Sequence, residues 1–150
     1  MACDDAAACD GVLPNEADQA RGFGLARTAR AREVLEDYVE LIGDLITESG
    51  EARAIEIARR LGVSHVSAGR AIARLKREGL ATARAYRGVF LTEAGEALAA
   101  RVRTRHQLVV RLLLAVGVPR AAAEADAEGL EHHVSDETLA AFARFLAAGG

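Results

Sequence analysis

The chain has no tryptophan, and its 150 residues include only two tyrosines and four phenylalanines. A core without large rings must be filled by alanine, leucine, valine and isoleucine, and such a set favours helices over a β-sandwich. Cysteine is nearly absent as well: Cys3 and Cys9 both lie in a polar head segment, where they make a poor structural staple. No apolar run reaches the ~18 residues needed to cross a bilayer. The best candidate, Leu108 to Val118, is broken by Arg111. The head carries Asp4, Asp5 and Asp10 in place of a basic stretch followed by an apolar one, so it does not read as a secretory signal. These absences lead us to expect a cytoplasmic protein with no membrane partner.

Overall positive charge is lacking too, since the net charge is −3. Mapped along the chain, however, residues 53–90 hold nine basic side chains against two acidic ones. Steering toward phosphate depends on such a local patch and not on the total. On charge alone, a merely solvated basic face is an equal alternative.

What is present has a clear order. Residues 1 to about 27 show no sustained period and are expected to form a disordered tail. From about Arg30 to Glu48, Val34, Leu35, Tyr38, Leu41, Ile42, Leu45 and Ile46 recur at helical spacing, and Ser49-Gly50 ends the run. A second helix is expected over about Ala54–Leu61, closed by Gly62. A third, capped by Ser64, runs to Arg77 with Val66, Ile72 and Leu75 as its apolar positions. Leu80 to Leu91, with Tyr86-Arg87-Gly88 at its centre, reads as a hairpin. A long helix over about Glu93–Val116 follows, and then two shorter ones, about Arg120–His132 and Ser135–Leu146. The fold class is therefore mainly α with a small β wing: a winged helix-turn-helix followed by a helical half. The expected division is residues 1–27, 28–97 and 98–150.

Helix, tight turn at Gly62-Val63, and a second helix opening with small polar residues form the pattern of a DNA-reading element. The first turns of such a helix enter the major groove, where hydroxyl, imidazole and guanidinium groups reach base edges. Ser64, His65, Ser67, Ala68 and Arg70 occupy those positions, and Arg53, Tyr86 and Arg87 are placed for phosphates. The alternative is a winged helix used only for protein contact.

Glu128, Glu131 and His132 fall at i, i+3 and i+4, so one helix face would present all three. An exposed acidic helix gives the same letters. His106 lies on the apolar seam of the long helix with Leu98, Val102, Val109, Leu113 and Val116, and is either a satisfied core histidine or a ligand. Asp37 and Glu40 belong to an acidic series (Glu33, Glu36, Asp37, Glu40, Asp44, Glu48) whose ordinary reading is a solvated face. Spacing alone does not say that these six groups meet.

From about Arg30 to Phe145 the sequence resembles the manganese-responsive branch of the diphtheria-toxin-repressor family. The likeness is carried by Glu36-Asp37-Tyr38-Val39-Glu40, Tyr86-Arg87-Gly88-Val89-Phe90-Leu91-Thr92, Arg105-His106 and the run Asp126 to His133. The resemblance implies a homodimer, its C-terminal helical half being a helical dimerisation domain, that binds double-stranded DNA at a pseudo-palindromic operator. It implies manganese(II), two ions per subunit, held by Asp37, Glu40, His106, Glu128, Glu131 and His132, and a repressor of manganese uptake genes. Iron-sensing relatives carry softer sulfur groups at the positions of Asp37 and Glu128, and the SH3-like domain of longer relatives is expected to be missing. Four carboxylates and two imidazoles are mainly hard donors, which suits manganese(II). An iron- or zinc-responsive repressor of the same family is the alternative. A carboxylate-bridged dimetal hydrolase is a different class, and the full winged helix speaks against an enzyme.

Overall fold

The computed structural model describes residues 13–84 and 88–149. Its elements in chain order are α1 (Glu16–Ser49), α2 (Ala54–Leu61), α3 (His65–Arg77), β1 (Ala81–Arg84), β2 (Gly88–Leu91), α4 (Glu93–Ala115), α5 (Arg120–Leu130) and α6 (Asp136–Ala147). The first helix begins far ahead of Arg30, so the part of the expected tail from Glu16 onward is helical. Asn15 caps it by accepting from the Asp18 amide, and Glu16 and Asp18 sit favourably in the first turn. Apolar periodicity did not mark this stretch because it packs on nothing: Phe23 and Leu25 are both exposed. Residues 1–12, with Cys3 and Cys9, lie outside the described residues.

The main core joins α1, α2, α3 and the base of the wing. Ile42, Leu45, Ile57 and Leu75 are fully buried there, each contributing ~1.5–3 kcal/mol through removal from water. In α3 the inward face is Ala68, Ile72 and Leu75, while Val66 is 63% exposed. The expected inward role of Val66 is thus overturned, because spacing by four from Ile72 and by seven from Leu75 selects Ala68. Strands β1 and β2 pair antiparallel from Ala81 with Leu91 to Arg84 with Gly88. Ala52 extends the wing base, its carbonyl accepting from the Val89 amide at 2.8 Å. Gly88 is required there: its φ is +92°, and a Cβ would stand 2.6 Å from the Ala52 oxygen.

Thr92 fastens the start of α4 to the turn between α3 and β1. Its hydroxyl accepts from the Gly95 amide at 3.1 Å and donates to the Gly79 carbonyl at 2.6 Å. Its own amide donates to the Leu80 carbonyl at 3.0 Å. From this anchor α4 crosses α1 and receives α5 and α6 on its far half, where Val109, Val110 and Ala127 form a second, smaller core. No helix among the described residues is long and apolar enough to cross a membrane.

Gly95 lies so close under Leu80 that an added methyl would be driven into its carbonyl oxygen. Gly95→Ala should cost about 1–3 kcal/mol of stability in urea denaturation. Gly69→Ala, in α3 with open space around it, should instead add about 0.5–1 kcal/mol.

Candidate metal centre

Where α1 crosses the α4–α5 side of the molecule, ionisable side chains from separate helices converge. A cavity of about 530 Å³ is lined by Asp37, Glu40 and Asp44 from α1, His106 from α4 and Glu128 from α5. Glu131 and His132 sit just beyond the end of α5, which stops at Leu130 and not at His132 as expected. The chain turns there, and this turn buries both side chains instead of leaving them on an exposed helix face. The imidazole Nε2 of His132 is 3.1 Å from Asp37 Oδ1 and 3.5 Å from Glu131 Oε1. His106 Nδ1 is 2.6 Å from Glu131 Oε2 and 3.9 Å from Glu128 Oε1. Glu128 itself is largely exposed, and Glu40 senses it and His106 through charge. All six sequence candidates thus meet in one seam.

The seam is short of positive charge. Burial raises Glu131 to about 7 against the opposing pull of His106 and His132. Burial would lower His132, but hydrogen bonds to Asp37 and Glu36 and the charges of Asp37 and Glu131 outweigh it and push it up to about 10. His106 is raised too, its burial outweighed by Glu131 and Glu124. Protons therefore stand in the seam as its cations. Among the described residues no three of these side chains are set to hold an ion as they stand, because the imidazoles are closed onto carboxylates by hydrogen bonds. Glu131 Oε1 is nevertheless buried without a hydrogen-bond partner among the described residues. An orphaned carboxylate oxygen beside two imidazoles, with further carboxylates lining the cavity, is a donor set that fits a hard divalent cation.

Glu36 was missed. It reads as one more member of a solvated acidic series, yet it is only 2% exposed and accepts from His132 Nδ1 at 2.7 Å. Its place three residues before buried Val39 was the clue. Glu124, 3.4 Å from His106 Nε2, was also missed.

On the DNA-reading side, His65, Ser67 and Arg70 are exposed on α3, and Arg53 is exposed beside Glu51. Ser64 Oγ accepts from the Ser67 amide at 3.1 Å, so it works as the helix cap. Ala68 is a correction: it is fully buried in the core and cannot reach a base edge. Tyr86 and Arg87 lie outside the described residues.

A helix-turn-helix with a wing, joined to a helical half through a seam of carboxylates and imidazoles, is the architecture of a DNA-binding regulator. Residues 31–89 match the family model described as iron dependent repressor, N-terminal DNA binding domain. Residues 92–148 match the one described as iron dependent repressor, metal binding and dimerisation domain. The chain belongs to this family of metal-dependent, DNA-binding repressors of the diphtheria-toxin-repressor type; it is a transcription regulator and not an enzyme. It is 51% identical over 133 residues to the transcriptional regulator MntR of Escherichia coli O157:H7, covering 89% of this chain and 86% of that one. An HTH-type transcriptional regulator MntR of Lysinibacillus sphaericus is 38% identical, covering 67% of this chain and 73% of its own. The solved structure of the manganese regulator SloR superposes with a TM-score of 0.67 at 28% identity, over 75% of this chain and 53% of that longer one.

A cation entering the seam must displace its protons. His132 and His106 both titrate above the ordinary imidazole value, so affinity for a divalent cation should rise with pH across 6 to 8.5 and not level off near ~6.5. Calorimetry in buffers of different ionisation enthalpy should find roughly one to two protons released per subunit at pH 7. Without a cation the same shifts act on folding. The folded chain holds protons that the unfolded chain gives up, so stability should fall as pH rises, from 4.5 to about 7 for Glu131 and from 6.5 to about 10 for His132. A flat titration of affinity, with no proton release, would contradict this account.

Proposed function

We propose that this protein is a manganese(II)-responsive repressor of manganese uptake genes, acting as a homodimer on a pseudo-palindromic operator. The observation that carries the reading is that groups from α1, Asp37 and Glu40, meet groups from the α4–α5 side, His106, Glu128, Glu131 and His132, around a buried oxygen with no partner. Bound there, a divalent ion supplies the positive charge the seam lacks, and the carboxylate count supports two ions per subunit. The hard donor set and the names of the relatives support manganese over softer metals. The family models' own description favours iron(II) as the second reading.

The chain's residues set the consequence. Asp37 and Glu40 ride on the helix that packs against α3, whereas the other four groups ride on the half assigned to dimerisation. With both sets drawn to one centre, α1 is held at a fixed angle to that half, and so is α3 in each subunit. Two copies then present their α3 helices at a spacing that suits two half-sites. A coupling of ~1–3 kcal/mol would change DNA affinity by ~5–150-fold. Helix α6 has no buried residue and leaves Phe145 exposed, an apolar face suited to a second copy. At the groove-facing end of α3, His65, Ser67 and Arg70 are the base-reading candidates, joined by exposed Val66, whose methyls suit the methyl group of thymine.

Glu131→Ala or His132→Ala should abolish metal-dependent DNA binding while leaving a folded dimer. A gel shift that still responds to manganese in either variant would reject the ligand assignment. Arg70→Ala should weaken DNA binding about 5- to 150-fold, the cost of ~1–3 kcal/mol for one base contact, and leave manganese affinity as in wild type. Selection from a random-sequence DNA library with manganese, iron(II), zinc and no metal in parallel separates the two metal readings. The ion that turns on binding at equal occupancy is the effector.

A further inference from the structure

Glu36 is a carboxylate placed where an apolar residue would pack at lower cost. It sits in α1 between buried Leu35 and Tyr38, and burying a charge costs several kcal/mol unless it is paired and hydrogen-bonded. It is paired on every side. Its Oε2 accepts from Arg105 Nη2 at 2.6 Å and from His132 Nδ1 at 2.7 Å, and Arg32 Nη2 approaches Oε1 at 3.4 Å. The His132 ring is 1% exposed, so it has no water to turn toward. With Nδ1 committed to Glu36, the other nitrogen, Nε2, faces Asp37 and Glu131.

An imidazole binds a metal through the nitrogen that carries no proton, and a carboxylate on the other nitrogen fixes both tautomer and ring angle. We propose that Glu36, clamped by Arg105, is a positioning residue of the metal centre: it holds the proton of His132 on Nδ1 and so assigns Nε2 as the donor atom. The inference rests on the ligand role given to His132 above. Arg105 and His106 are neighbours in α4, so that one turn of helix supplies both the clamp on Glu36 and a candidate ligand. Arg105 Nη2 and His132 Nδ1 converge on the same oxygen, Glu36 Oε2, so the carboxylate serves both as an acceptor.

The test is manganese(II) titration of the full chain by calorimetry and by electron paramagnetic resonance, together with nitrogen-15 histidine spectra of the zinc(II)-loaded protein. Glu36→Ala should weaken manganese binding 10- to 100-fold, the usual loss for such a partner. Glu36→Gln, which keeps the shape, should lose about tenfold. In the zinc-loaded spectra, wild type should show His132 bound through Nε2 with its Nδ1 proton hydrogen-bonded, a signature that Glu36→Ala should lose. Should both Glu36 variants unfold, Arg105→Lys, which loosens the clamp but keeps the charge, should still weaken manganese binding several-fold. Lower thermal stability in the Glu36 variants with wild-type manganese affinity and an unchanged histidine spectrum would overturn the proposal and leave Glu36 a purely structural ion pair. If wild type itself fails to bind manganese, or His132→Ala binds it normally, the ligand assignment fails and this proposal with it.

Discussion

Negative charge that the chain cannot match from within is the constraint on which the rest of this molecule depends. Carboxylates, among them Glu36, Asp37, Glu40, Glu128 and Glu131, gather at one seam with the imidazoles of His106 and His132 between them. Of these five, among the described residues, Glu36 is the one paired with guanidinium groups, those of Arg105 and Arg32. Elsewhere a buried carboxylate would have been replaced or paired, because the desolvation cost exceeds what most contacts return. Here it persists, with protons filling the deficit. A site that keeps protons only because nothing better is present is poised to exchange them for another cation.

The position of that deficit matters as much as its size. It lies between the part of the molecule that carries α3 and the part that carries the second core, and the two are otherwise joined through α1 against α4 and the Thr92 anchor. In the proposed function, closing the seam would be favourable when its charge is neutralised and unfavourable when it is not, so occupancy would shift a population between arrangements. The basic reading face is remote enough in sequence to keep its own charge balance. A protein of net charge −3 can thereby meet a phosphate backbone with one surface and gather cations with another.

Much of this was legible in the letters where a residue has one physical use. Ser64 was placed as a cap and Ser135 at the start of the last helix, and both accept from the amide three residues on. The glycines after α1 and α2 sit in the left-handed conformation that ends a helix. The start of α1 was silent because an exposed helix buries no face and leaves no apolar rhythm. Val66 and Ala68 were exchanged because size was weighed above position: the larger residue was assigned inward, although the small one sits on the face that meets the core. Glu36 was hidden by its neighbours, since a run of acids looks uniform until the fold turns one of them inside. For the metal centre, spacing brought three groups onto one face. Only the resemblance, and then the packing of α1 across α4, joined the six.

The unbroken course of α1 has a mechanical consequence. At 34 residues it is about 50 Å long, and its acidic groups lie near the middle. About 18 Å separates Asp37 from the end of the helix at Ser49. A swing of 10° at the seam would move that end by about 3 Å, comparable with the length of a hydrogen bond. A helix without a kink converts a small angular change into a displacement on the scale that groove contacts resolve. A break in this rod between Glu40 and Ser49 would absorb the swing before it reached the end that leads into α2, even with every polar group in the seam left in place.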